Sequence, residues 1–171
     1  MNNRSRAARA SLLALVLACS LLAGCGFQLR QAPDFAFHSI YVAAAPSSTL
    51  ANEFKRSISS GGNVALVDPG RIDSAQVVLD VLADQREKVV VGLNASGQVR
   101  EFQLRTRLKF RLRTPQGKEL IPETELLQQR DISFNESAVL AKESEENLLY
   151  RDMQADIVQQ LMRRLAAVKT L

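Results

Sequence analysis

Residues 77–113, VVLDVLADQREKVVVGLNASGQVREFQLRTRLKFRLR, decide the fold. In the first half, Val77, Leu79, Val81 and Ala83 are apolar, while the positions between and beyond them include Asp80, Asp84, Arg86 and Lys88. That two-residue period marks a strand with one buried face. Asn94-Ala95-Ser96-Gly97 supplies turn formers. After it, Phe102, Leu104, Leu108, Phe110 and Leu112 alternate with Arg105, Arg107, Lys109, Arg111 and Arg113. A tight loop centred on the four turn residues pairs positions whose numbers sum to about 191, so odd positions of one strand oppose even positions of the other. The apolar faces then coincide, and so do the polar ones, which predicts a β-hairpin in one register. In that register Asp80 faces Arg111 and Asp84 faces Arg107.

Working outward, Pro115-Gln116-Gly117 turns the chain into a further strand at about residues 118–133. Pro122 denies that strand a ladder bond, which predicts an edge position or a bulge. Upstream, Ile40-Tyr41-Val42 reads as a short strand, and Ser48 as the cap of a helix over 48–60 with Leu50, Phe54 and Ile58 on one stripe. Gly61-Gly62 ends that helix, and Val64-Ala65-Leu66-Val67 is a short apolar strand closed by Asp68-Pro69-Gly70. Downstream, Ser144 is the expected cap of a final helix of about 25 residues. Glu145 and Glu146 fall in its first turn, and Tyr150, Met153, Ile157, Leu161, Leu165 and Val168 follow at helical spacing. Such a stripe reads as packing against the sheet. The expected order is β–α–β–β–β–α. It is an α+β two-layer sandwich, with a four-stranded mixed sheet and two α-helices on one face.

The chain has 171 residues, 22 Lys+Arg, 18 Asp+Glu and one His, for a formal charge of +4. Arg4, Arg6 and Arg9 lie in the first 24 residues, which hold no acid, so the remainder is nearly neutral. Nucleic acid is therefore not an expected partner, and an aromatic content of 5% with no Trp offers no stacking platform for single strands. Residues 11–22 form an apolar run behind the cationic start, too short to span a bilayer and typical of a secretory signal. Leu22-Ala23-Gly24-Cys25 resembles a bacterial lipobox, whose cysteine is acylated and becomes the first residue after cleavage. Two or more acyl chains anchor stably where one does so only marginally. The expected organisation is a cleaved lipoprotein signal peptide at 1–24, a lipidated tether at 25–38 and a single α+β domain at 39–171. Gly26, in place of the Asp that retains lipoproteins at the inner membrane, points to the outer membrane. Cys19 leaves with the signal, so the mature chain has no thiol for catalysis or metal binding.

Enzymatic chemistry finds no support. His38 is the only histidine, and there is no nucleophile elbow, no glycine-rich phosphate loop and no metal-ligand spacing, so no cofactor is expected. The cation row Arg105, Arg107, Lys109, Arg111 and Arg113 stands out, with same-face neighbours about 6.5–7 Å apart. Two kinds of anion can answer it. One is internal, from Asp80, Asp84, Glu119, Glu123 and Glu125 on the same face. The other is an external polyanion, and the guanidinium fork suits phosphate. Val78 and Leu82 add apolar surface beside the charges, which fits a phosphorylated glycolipid.

The lipobox running into Cys25-Gly26-Phe27-Gln28-Leu29-Arg30 resembles the lipopolysaccharide-assembly outer-membrane lipoproteins, LptE. So do Gly97-Gln98 leading to Glu101-Phe102-Gln103, Leu140-Ala141-Lys142-Glu143, and Asp152-Met153. The resemblance implies a lipoprotein on the periplasmic side of the outer membrane that plugs the lumen of the β-barrel LptD as a 1:1 heterodimer, assists its assembly and binds lipopolysaccharide. It marks Cys25 for lipidation and Lys142 as a ligand contact. The family does not require five cations in the hairpin strand, so the ligand role of the row rests on its own chemistry. The alternative is a generic outer-membrane lipoprotein that scaffolds another envelope complex.

Overall fold

The computed structural model describes residues 33–135 and 139–171. The order is β1 (Ser39–Ala43), α1 (Thr49–Ser60), β2 (Ala65–Leu66), β3 (Val77–Leu93), β4 (Val99–Arg113), β5 (Glu119–Ser133) and α2 (Val139–Ala166), with a 3-10 turn at Pro69–Ser74. One mixed sheet runs β2-β1-β3-β4-β5. β1 is parallel to both of its neighbours, and β3, β4 and β5 form an antiparallel meander.

The sheet has five strands where four are expected. The one left out of that total is the short strand read at 64–67, whose Ala65–Leu66 pairs with Ser39 and Ile40 along the outer side of β1. The chain leaving α1 must pass that edge on its way to β3. Pro69 opens the 3-10 turn soon afterwards and stops the pairing. β5 is the other edge, and its ladder shifts register between the pairs Phe110↔Thr124 and Leu112↔Ile121 that bracket Pro122, as a missing donor requires.

The hairpin register holds through Val78↔Arg113, Leu79↔Leu112, Asp80↔Arg111 and Val81↔Phe110. The ladder then skips Leu82, and Ala83 pairs with Lys109, Asp84 with Leu108 and Arg86 with Thr106. One extra residue in one strand advances its phase by one. Asp84 therefore does not face Arg107. It turns to the helix side, where its Oδ2 accepts from Ser48 Oγ at 2.6 Å. Arg86 donates to Gln154 of α2 and to Thr49 of α1, and Lys88 reaches Glu146 of α2 at 2.6 Å. The bulge gives three polar side chains of β3 partners in the helix layer that unbroken alternation would have left in solvent. At the far end, Gly97 adopts φ of 78°, and Asn94 Oδ1 accepts from the amides of Ser96 and Gln98. The two residue types thus do separate jobs in the turn.

Ser48 caps α1 by accepting from the Ala51 amide at 3.0 Å, and Leu50, Ala51, Phe54 and Ile58 are buried. α2 begins at Val139, before the expected cap. Ser144 lies inside the helix and bonds back to the Leu140 carbonyl at 3.1 Å. Leu140, Ala141, Lys142 and Glu143 are good helix formers and extend the helix toward β5. Its stripe Tyr150, Met153, Ile157, Leu161 and Leu165 is buried, and Val168 packs against the core beyond the helix end.

Both helices cover one face of the sheet. Phe37, Ile40, Phe54, Leu79, Phe110, Ile157 and Leu161 belong to the main cluster, and Leu104, Ile132, Tyr150 and Met153 form a second cluster with Phe102 and Leu149 packed against it. Phe35 and Phe37 are buried, so the core extends back into the expected 25–38 tether. Their rings sit 5.2 Å apart, and two such side chains contribute more by packing than by spacing. Residues 25–32, including Cys25, lie outside the described part. Thr106, on the core face between Leu104 and Leu108, has a buried hydroxyl without a hydrogen-bond partner among the described residues. Thr106→Val keeps the shape and removes the unanswered polar atom, so it should stabilise the protein by about 1 kcal/mol. Urea denaturation checks this, and a loss of stability would mean the hydroxyl is satisfied.

Candidate ligand-binding surfaces

The odd positions of β4 carry the cation row on the face away from the helices, and the even positions fill the core. The row is anchored unevenly. Asp80 binds its C-terminal end, with its Oδ2 accepting from Arg111 Nε at 2.7 Å and Arg113 Nε at 2.9 Å. Burial pushes the Asp80 carboxyl up, but the hydrogen bonds and charges of Arg113 and Arg111 together outweigh it and hold the group below its ordinary range. The same hydrogen bond, with the Asp80 charge, raises Arg111.

The middle of the row has looser partners. Arg107 lies 3.6 Å from Glu125, and Lys109 lies 3.8 and 3.9 Å from Glu125 and Glu123. Arg105 donates to the amide oxygen of Gln103 at 2.8 Å and, among the described residues, forms no ion pair. Glu87 stands opposite it in the ladder. The internal anions thus take up much of the row, most firmly at Arg111 and Arg113 and least at Arg105. Val78 is fully buried on this face, whereas Leu82 at the bulge is exposed.

Lys142 lies elsewhere. It sits on α2 and donates to Ser133 Oγ at 3.0 Å and Glu145 Oε2 at 2.9 Å. It lines a cavity of about 80 Å³ together with Lys88, Phe102, Ile132, Phe134, Glu146 and neighbouring residues. The strand residues Lys88, Phe102 and Ile132 belong to the helix side of the sheet, so the structure does not unite Lys142 with the row. Lys88 Nζ rests 4.3 Å from the Phe102 ring centroid, and Phe102 meets Phe134 edge-on at 5.5 Å. Beneath them Tyr150 donates to the Glu87 carbonyl at 2.8 Å. Burial, then the Glu146 charge, push its phenol up. The sequence reading misses Lys88 and the two phenylalanines as site residues. Simple alternation sends Lys88 to the open face, and only the bulge at Leu82 returns it to the cavity.

Among the described residues no helix is long and apolar enough to cross a membrane, and no group of three or more His, Cys, Asp or Glu could hold a metal ion.

The family model described as LptE, lipopolysaccharide-assembly, matches residues 37–165. The solution structure of uncharacterized lipoprotein B from Nitrosomonas europaea is similar at 34% identity and a TM-score of 0.72, over 83% of this chain and 91% of that one. Rare lipoprotein B from Shewanella oneidensis shares the fold at 22% identity and a TM-score of 0.63, over 76% of this chain and 95% of that one. A minor lipoprotein from Acinetobacter baumannii does so at 21% identity and a TM-score of 0.61, over 78% and 94%. A comparison with curated proteins finds no match. With its fold and nearly all of its described residues matched, the chain belongs to the LptE lipopolysaccharide-assembly family.

Proposed function

We propose that this protein is a non-catalytic outer-membrane lipoprotein, anchored through acylated Cys25, that plugs and helps assemble an LptD-like β-barrel and binds lipopolysaccharide for insertion into the outer leaflet. The observation that carries this reading is the family match over residues 37–165. The surfaces support it chemically. Phosphates beside acyl chains need cations beside apolar surface, and both the row and the Lys142 cavity combine the two. Within the row we assign the ligand role first to Arg105, Arg107 and Lys109, whose internal partners are an amide and distant carboxylates. Arg111 and Arg113 support them from behind Asp80.

Two measurements test the reading. Affinity purification of the tagged full-length lipoprotein from its own envelope should bring down a large β-barrel in equal amount. Recovery of a different envelope complex without a barrel would overturn the plug assignment and favour a scaffold. Replacing Arg105, Arg107 and Lys109 together by glutamine should weaken lipopolysaccharide binding about tenfold. The thermal midpoint should shift little, because partly exposed pairs at such distances contribute ~0–1 kcal/mol each. Unchanged binding would assign the row to internal pairing alone.

A further inference from the structure

We propose that Glu145 and Glu146 are built-in competitors of the ligand, holding Lys142 and Lys88 until a lipid phosphate displaces them. This rests on the lipopolysaccharide-binding reading above and makes Lys88 a second cation of that site.

Glu146 Oε2 lies 2.6 Å from Lys88 Nζ, and Glu145 Oε2 lies 2.9 Å from Lys142 Nζ. Both carboxylates rise from the same turn of α2, and both ammonium groups stand at the rim of the cavity walled by Phe102, Phe134, Ile132 and Val139. The surroundings favour an amphiphile over a free anion. Of the large hydrophobic residues exposed among the described residues, Val90 on β3 and Val139 at the start of α2 border this cavity. Val90 pairs directly with Phe102, and Val139 lines the cavity. An acyl chain can follow these side chains while its phosphate meets the lysines.

The lysines are already paired, so binding is an exchange of one anion for another at the same ammonium group. Such pairs, at 22–48% side-chain exposure, are weak enough to open in water. A phosphate carrying up to two charges and three acceptor oxygens outcompetes a single carboxylate. The competitor lowers net affinity, which suits a protein that must release its ligand. Glu143 makes the contrast. It lines the same cavity but forms no ion pair among the described residues, so it adds negative field without occupying a lysine.

The test uses the full-length lipoprotein in detergent, with diphosphorylated lipid A in mixed micelles as the probe. Glu145→Gln with Glu146→Gln should tighten binding by roughly three- to tenfold, because each exchange no longer breaks an ion pair. Glu143→Gln should have a smaller effect. Adding Lys88→Gln to the double variant should cancel most of the gain. Equal affinity of the wild-type protein and the double variant would overturn the inference while leaving the function proposed above intact. So would an equal gain from Glu143→Gln, or the same tightening toward phosphatidylglycerol vesicles. Absence of lipid A binding by both proteins would overturn the function as well.

Discussion

Phe54→Ala should lower the unfolding free energy by about 4 kcal/mol, the cost of removing a fully buried aromatic ring from a core that only partly closes over the gap. Phe54 has no exposed surface and sits at the centre of the α1 stripe between Leu50 and Ile58. Little else holds this helix by itself. At 12 residues it is marginal as an isolated segment, and it has no acid in its first turn and no base in its last to favour the dipole. Its polar ties to the rest of the fold, Ser48 to Asp84, Thr49 to Gln154 and Arg86, and Glu53 to Gln154, all lie in its N-terminal half. Without the ring, the C-terminal half should detach first. Calorimetry should record a drop in midpoint of roughly 10–15 °C. Arg56→Ala, on the exposed side of the same helix, should fall within about 0.5 kcal/mol of the wild type. A Phe54→Ala loss near that of the surface variant would mean that α1 is not packed as described. Below its midpoint the variant should still bind lipid, because the Lys88 cavity borders the second cluster rather than the one that contains Phe54.

The elements with strong periodicity were legible from residues alone. Leu50, Phe54 and Ile58 predicted α1 to within a residue or two, and the Tyr150–Leu165 stripe predicted the buried side of α2. Alternation on either side of Asn94–Gly97 predicted the hairpin and the Asp80–Arg111 contact. The stretch 64–67 reads as a short apolar strand, and the structure bears this out at Ala65–Leu66; only the total of four strands leaves it out, because its pairing with β1 depends on where the crossover lies. The start of α2 was misplaced because Ser144 looks like a cap, and good helix formers before it override that signal. The bulge at Leu82 could not be read. A bulge leaves alternation intact on each side of it, and here Leu82 and Ala83 together oppose Lys109. Its effect on the candidate site was large, because the phase change sends Lys88 to the cavity beside Lys142 and removes Asp84 from the anions of the row.

Asp80→Asn should cost about 2 kcal/mol at neutral pH, and this penalty should vanish in acid. The side chain is 12% exposed and receives three hydrogen bonds from Arg111 and Arg113. The asparagine keeps the shape but leaves two adjacent guanidinium groups facing each other without an anion, which explains a cost above that of a surface pair. The pH dependence follows from the depressed carboxyl. A group with a folded-state pKa below its unfolded value stabilises the protein fully above the unfolded value, about 3.9 for aspartate, and loses that contribution as pH falls through the folded value. The gap between wild type and variant should therefore be constant from pH 7 to about 5 and shrink steadily below about 4. Urea denaturation of both proteins across that range measures it, and a gap that persists or widens in acid would mean that Asp80 does not hold its charge against the two arginines. The same variant separates the two roles of the row. Freed from Asp80, Arg111 and Arg113 become available to an external phosphate, so lipopolysaccharide should bind the less stable protein at least as tightly as the wild type. Weaker binding would show that Asp80 organises the row for its ligand instead of competing for it.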